Sequence, residues 1–240
     1  MPERPSPTAS RRITTRGVAR EESQRRPTMG LLIAVFGPRP GVGVTSVSTG
    51  LARSFRSLGS EGVAFAELDA RAVRARSSAT PASSAGADRI AIPGINAALV
   101  RTPDEIWALT VTRPRTPSVG DAKGVTVALD AIRERFPVTV AELEHQVNER
   151  TLAAFDAADR ILLVTEGAVP SLRGIQRVLR LCRRLNYPDE KMCVILNETG
   201  ASSALPAGDV AVVLKRDIYW NIPEGARLTT DGLAEKLLSG

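Results

Sequence analysis

The chain has 240 residues, of which 43% are hydrophobic, and a formal net charge of +6. That length buries a sizeable core, so one α/β domain plus a tail is the economical organisation. No apolar run approaches the ~18–20 residues that cross a bilayer, the N-terminus lacks the apolar stretch of a secretory signal, and His145, Cys182 and Cys193 are too few for a multi-histidine zinc centre or a disulfide framework.

Residues 1–28 are rich in Pro, Ser, Thr and Arg and lack apolar periodicity, which predicts a disordered segment. Seven arginines against three glutamates give it a net +4, leaving only +2 for the remainder. Such a tail suits nucleic acid, an acidic partner or an anionic surface, and equally a solvated linker. Met29 directly precedes the first strand and is an alternative start of translation.

Residues 31–36, LLIAVF, form a continuous apolar run, the pattern of a strand covered on both faces of a parallel sheet. From Thr45 to Leu58, Val47, Leu51 and Phe55 recur every four residues and predict a helix. Between them, Gly37 to Ser46 is a glycine turn ending in Thr45-Ser46. Strand, glycine loop and hydroxyl pair make the layout of a phosphate-binding loop, where main-chain N–H groups and a helix N-terminus face the anion. A tight strand-to-helix turn alone also asks for Gly41 and Gly43. The lysine that meets terminal phosphates in such loops is replaced by Val44.

Val63 to Ala66 predicts a second strand, followed by Glu67-Leu68-Asp69. Strand and helix alternation implies parallel pairing through right-handed crossovers. Arg71 to Asp88 reads as a loop, and Ile90 to Pro93 as a short edge strand. Thr102-Pro103-Asp104-Glu105 has the form of a helix start leading into Ile106 to Leu109. Pro114, Pro117 and Gly120 separate this from a helix over 122–136 with the stripe Val125, Leu129, Ile132. Val138 to Ala141 and Arg160 to Thr165 predict further strands, as does Met192 to Leu196, and Ile218 to Pro223 is an aromatic strand. On the helix over 171–185, Arg173, Arg177, Arg180 and Arg184 share one face, which can track phosphates or simply stay solvated.

Arg39-Pro40-Gly41-Val42-Gly43-Val44-Thr45-Ser46 resembles the deviant phosphate loop K-G-G-x-G-K-T-[ST] of the MinD/ParA family of P-loop ATPases. Two of its three glycines and both hydroxyls are kept. The succession Thr151-Leu152 to Asp159 before an apolar strand ending in Thr165, then Pro170-Ser171-Leu172-Arg173, Tyr187-Pro188, Leu196-Asn197 and Ile222-Pro223, resembles the CpaE/TadZ branch, associated with pilus assembly. The likeness covers about residues 31–69 and 138–238.

The resemblance implies a P-loop NTPase fold for 29–240: a mostly parallel, twisted α/β sheet of about seven strands with helices on both faces. It implies ATP and magnesium as ligands, weakened by the loss of the lysine. Arg39, Gly41, Val42, Gly43, Thr45 and Ser46 would hold the phosphates, and Asn197 and Pro223 the base. Thr45 and Asp69 would serve the metal, with Glu67, Asp69 and Glu142 as the acidic residues of hydrolysis. The residues after Pro223 are Glu224-Gly225 where the family has Asn-Asp. A cytoplasmic homodimer is implied, at a cell pole or recruited to a membrane-associated machine. Its partners would be proteins of a pilus or secretion machine, with DNA as the lesser alternative through Arg173, Arg177, Arg180 and Arg184.

Overall fold

The computed structural model describes residues 29–68, 88–111, 120–198, 204–224 and 230–239. Its strands are β1 (Leu31–Phe36), β2 (Val63–Glu67), β3 (Arg89–Ala91), β4 (Ala97–Arg101), β5 (Trp107–Val111), β6 (Val138–Glu142), β7 (Arg160–Thr165), β8 (Met192–Asn197) and β9 (Trp220–Ile222). The helices among the described residues are α1 (Val44–Ser57), α2 (Ala122–Arg133), α3 (Glu149–Ala157), α4 (Val169–Arg184), α5 (Ala207–Leu214) and α6 (Asp231–Ser239). The nine strands form one sheet in the order β3-β4-β5-β2-β6-β1-β7-β8-β9. From β5 to β9 every pairing is parallel, while β3-β4 and β4-β5 are antiparallel.

Side chains on a strand alternate between faces, and β1 shows why its sequence is apolar throughout. Ile33 and Val35 pack with Val47, Leu51 and Phe55 of α1 and with Leu233 and Leu237 of α6. Leu32, Ala34 and Phe36 face the opposite layer, with Leu129 of α2, Phe155 of α3 and Leu172 and Leu179 of α4. Phe36 and Phe155 meet edge to face at 5.6 Å. Cutting the fully buried Phe155 back to alanine would cost about 3–5 kcal/mol.

Asp159, the last residue of the Ala-Ala-Asp succession, fastens the start of β1. It accepts from Leu32 N at 2.7 Å and from Arg133 at 2.8 and 3.0 Å, and Arg133 also donates to Gly30 O and Ala157 O. Five polar contacts thus converge where β1, α2 and β7 meet.

The sheet runs past the seven expected strands through a meander, and here one expectation is corrected. Residues 102–106 do not start a helix; they turn between β4 and β5, which pair antiparallel from Ala97↔Val111 to Arg101↔Trp107. Thr102 N donates to Ile106 O at 2.8 Å, its Oγ1 accepts from Ile106 N, and Glu105 adopts φ 60. Arg53 on Asp104 at 3.1 Å and Arg56 on Glu105 tie the turn to α1. Four apolar residues give too short a run to separate helix from strand by period, and the sheet edge at β2 decided it. The expected edge strand at 90–93 is β3, at the sheet's margin. The loops expected at 71–88 and 113–120 lie almost entirely outside the described residues.

Candidate nucleotide site

β1 is central: its neighbour β6 leads toward β2 on one side, and β7 leads toward β8 on the other. Open α/β sheets bind ligands beyond the C-terminal ends of the strands at such a switch point. The ends of β1, β2, β6 and β8 carry Gly37, Leu68, Leu143 and Asn197 there, and the predicted phosphate loop lies among them.

The loop keeps its left-handed turns despite Pro40. Gly41 has φ 85 and Gly43 φ 97, a region that side-chain-bearing residues enter at a cost. Gly43 precedes α1, which has neither a side-chain cap nor an acidic residue in its first turn. The main-chain N–H groups of Val44, Thr45 and Ser46 therefore lack intrahelical acceptors and form the positive end of the helix dipole. Arg39, Gly41, Thr45 and Ser46 are exposed at this mouth, and Arg39 makes no ion pair with the described residues.

Val42 and Val44 point the other way. They are 1% and 3% exposed and pack into the α1 layer of the core. Both close on Gly37, where an added Cβ would stand 2.7 Å from Val42 Cγ2 and 2.6 Å from Val44 Cγ2. The lysine position of the loop is thus filled by an aliphatic group that belongs to the core.

Glu142 ends β6 and is 7% exposed. Its Oε1 accepts from Thr45 Oγ1 at 2.5 Å and its Oε2 from Ser48 Oγ at 2.8 Å. Glu67 ends β2 directly abreast of Glu142 in the register. Glu67 follows Val63 and Phe65, and Glu142 follows Val138 and Val140, of the α1-facing set in the alternation of their strands, so the carboxylates share that face. Asp69, the remaining acidic expectation, lies outside the described residues. A hydroxyl that keeps lone pairs free beside carboxylates fits a hard divalent cation such as magnesium. Thr45, Glu142 and Glu67 are the described residues that could serve one.

Asn197, at the end of β8, donates from Nδ2 to Val42 O at 3.0 Å and lies where a side chain on Gly43 would sit, 2.3 Å from its added Cβ. The expected base residue therefore stands against the phosphate loop. Pro223 follows β9, whose Ile222 pairs with Asn197, and is exposed. Residues 225–229, which follow it, lie outside the described residues.

Several residues at the site were not singled out from the sequence. Ser48 is fully buried and bonds Glu142; a hydroxyl one position from Val47 and three from Leu51, inside the apolar stripe of α1, was its signal. His145 Nδ1 meets Gly37 O at 3.1 Å. Arg150 spans Glu144 at 2.9 Å and Leu68 O, while Asn148 caps α3 and donates to Glu144 at 2.7 Å, so the segment after β6 is pinned to the end of β2. Arg173, Arg177, Arg180 and Arg184 all lie exposed on α4, and none makes an ion pair with the described residues. Gly174 lets this helix close on the loop, since an added Cβ would be 2.7 Å from Pro38 Cγ.

No family model and no curated relative matches the sequence. Solved structures do. A ParA family ATPase from Chlorobium tepidum superposes with TM-score 0.60 at 15% identity, covering 88% of this chain and 89% of the other. The MinD cell division protein of Aquifex aeolicus gives 0.64 at 18%, covering 88% and 98%. The septum site-determining protein MinD of Pyrococcus horikoshii, complexed with Mg-ADP, gives 0.62 at 14%, covering 87% and 89%. The mixed, mostly parallel sheet with helices on both faces, carrying its glycine loop at the end of β1, is the MinD/ParA P-loop NTPase fold.

Proposed function

We propose that this chain is a degenerate MinD/ParA-like protein that serves as a localisation or assembly scaffold for a Flp/tad-type pilus or secretion machine, with ATP hydrolysis weak or absent. Residues 29–240 are its P-loop domain and 1–28 a basic tail. The observation that carries the reading is Val44, buried in the core where the loop would need a cation. A nucleoside triphosphate brings about four negative charges, which catalysts of phosphoryl transfer meet with fixed cations. Leaving such a charge without its buried partner costs about 3–5 kcal/mol, more than two decades in affinity.

What remains is the loop amides, Thr45 with Glu142, and Arg39. A bound magnesium would supply charge neutralisation at the terminal phosphates. Thr45 and Glu142 would orient toward it, Glu67 and Asp69 provide the further acidic groups, and Asn197 and Pro223 border the base. Arg39, exposed and without an ion pair to the described residues, would cross to the nucleotide of a second copy in a cytoplasmic homodimer. The test is a steady-state phosphate-release assay beside light scattering of wild type and Arg39→Ala, with and without ATP and magnesium. Turnover at ordinary ParA-type rates refutes the scaffold reading, and an unchanged mass in Arg39→Ala refutes the bridging role.

The second reading is a weak ParA-type ATPase that binds DNA non-specifically. Exposure of the four α4 arginines favours it. DNA affinity falling with a log–log salt slope near −0.9 per phosphate contact, and lost on changing all four to alanine, would establish it.

A further inference from the structure

At the end of the sheet opposite the phosphate loop, an open cleft of about 740 Å³ lies between the starts of β7, β8 and β9 and the C-terminal end of α4. Arg160, Arg183, Lys215, Arg216 and Lys236 line it. Its floor is apolar: Met192 and Cys193 are buried, Ile218 and Tyr219 half-buried, and Lys236 lies over the Tyr219 ring at 4.2 Å. Arg183 lines the cleft and lies beside the face that carries Arg180 and Arg184. The arginine face of α4 therefore ends at the edge of the cleft. From Arg173 to Arg184 it spans about 17 Å at 1.5 Å per residue, the reach of five extended residues at about 3.3 Å each.

We infer that the arginine face of α4 and the cleft at its C-terminal end form one docking surface for an acidic segment of a partner protein, with an apolar side chain of that segment seated in the cleft. The inference rests on the scaffold reading only in taking the partner to be a protein. Three observations favour a peptide over nucleic acid. The cleft floor offers apolar surface, which a phosphate backbone leaves unused. Asp189, Glu190 and Asp217 stand among the cations; they repel the dense, regular charge of a duplex, whereas a peptide can place its carboxylates between them. Lastly, the site already holds a carboxylate: Asp189 takes Arg216 at 2.8 Å and lies 3.9 Å from Arg183. The guanidinium fork matches carboxylate and phosphate alike, so arginine along the helix suits an anionic partner, and the choice of peptide rests on the cleft.

The test uses the full chain and a fluorescent 14-residue peptide of Asp and Glu with one central Phe, followed by anisotropy at about 0.15 M salt, where exposed charges are already screened over ~8 Å. The expected result is saturable binding that weakens about tenfold in R177E/R180E, and about tenfold when the peptide's Phe becomes Ala. Lys215→Glu, exposed at the cleft, should weaken it as well. Both protein variants alter exposed side chains, and unchanged thermal melting would show them folded. Absence of saturable binding overturns the inference, as does binding that R177E/R180E leaves intact. Tighter binding to a DNA duplex of equal charge, or to phosphatidylserine vesicles, with loss in the same variant, overturns it in favour of those surfaces. ATP turnover in the same preparation would refute the degenerate-site reading and leave this surface standing.

Discussion

Thr45 donates its hydroxyl proton to Glu142 across 2.5 Å, although the two residues are 97 apart in the chain. Together with the 2.8 Å bond from Ser48 to the other carboxylate oxygen, this joins the first turn of α1 to the end of β6. A carboxylate that is 7% exposed is thereby satisfied on both oxygens. Glutamate at the end of β6 holds α1 in place whether or not a cation is bound.

Ser48→Ala leaves Glu142 Oε2 without its donor. An orphaned buried acceptor costs about 1–3 kcal/mol, more when charged, so urea midpoints should fall accordingly. Glu142→Gln combined with Ser48→Ala should destabilise by less than the sum of the single changes, because the two share one bond. Additive losses would show that the contact contributes nothing.

Val44→Lys replaces a core-facing valine, so its stem covers Gly37 where the valine did and the ammonium turns back toward the mouth of the loop, as long side chains do when only the head reaches water. Calorimetry should then show ATP–magnesium binding tightened by about two decades. An affinity equal to wild type would mean that the loop, rather than the missing charge, prevents binding.

Thr139, on β6, is fully buried and its Oγ1 has no hydrogen-bond partner among the described residues. Replacing the hydroxyl by a methyl removes that penalty, so Thr139→Val should stabilise the protein by roughly 1 kcal/mol. A lower denaturation midpoint than wild type would contradict it.

Burial pushes the Cys182 thiol up from 9.0 to about 11, and Cys193 upward as well. The fold keeps a proton that the unfolded chain releases, so this stability is fully present below pH 9 and is lost as pH rises toward 11. Burial lowers the Lys191 ammonium and opposes the trend. Urea midpoints should therefore fall from pH 8.5 to pH 10.5, and less steeply in Cys182→Ala. An equal slope in the variant would remove Cys182 as the cause.

The sequence by itself determined the alternation of strand and helix, because the run 31–36, the stripe of α1 and the left-handed glycines at 41 and 43 are local patterns with local causes. It also placed Glu67, Glu142 and Asn197 at strand ends. Tertiary structure alone decided what these residues face. Strand order set β6 between β1 and β2, which brought Glu142 under Thr45 and Ser48 and abreast of Glu67. It likewise turned residues 107–111 into a strand by offering them the edge of β2. The absence of a lysine at 44 was legible at once. That the valine there belongs to the core, leaving the mouth of the loop to main-chain amides and Arg39, followed only from the packing of Val42 and Val44 on Gly37, since burial depends on what the rest of the chain places beneath the loop.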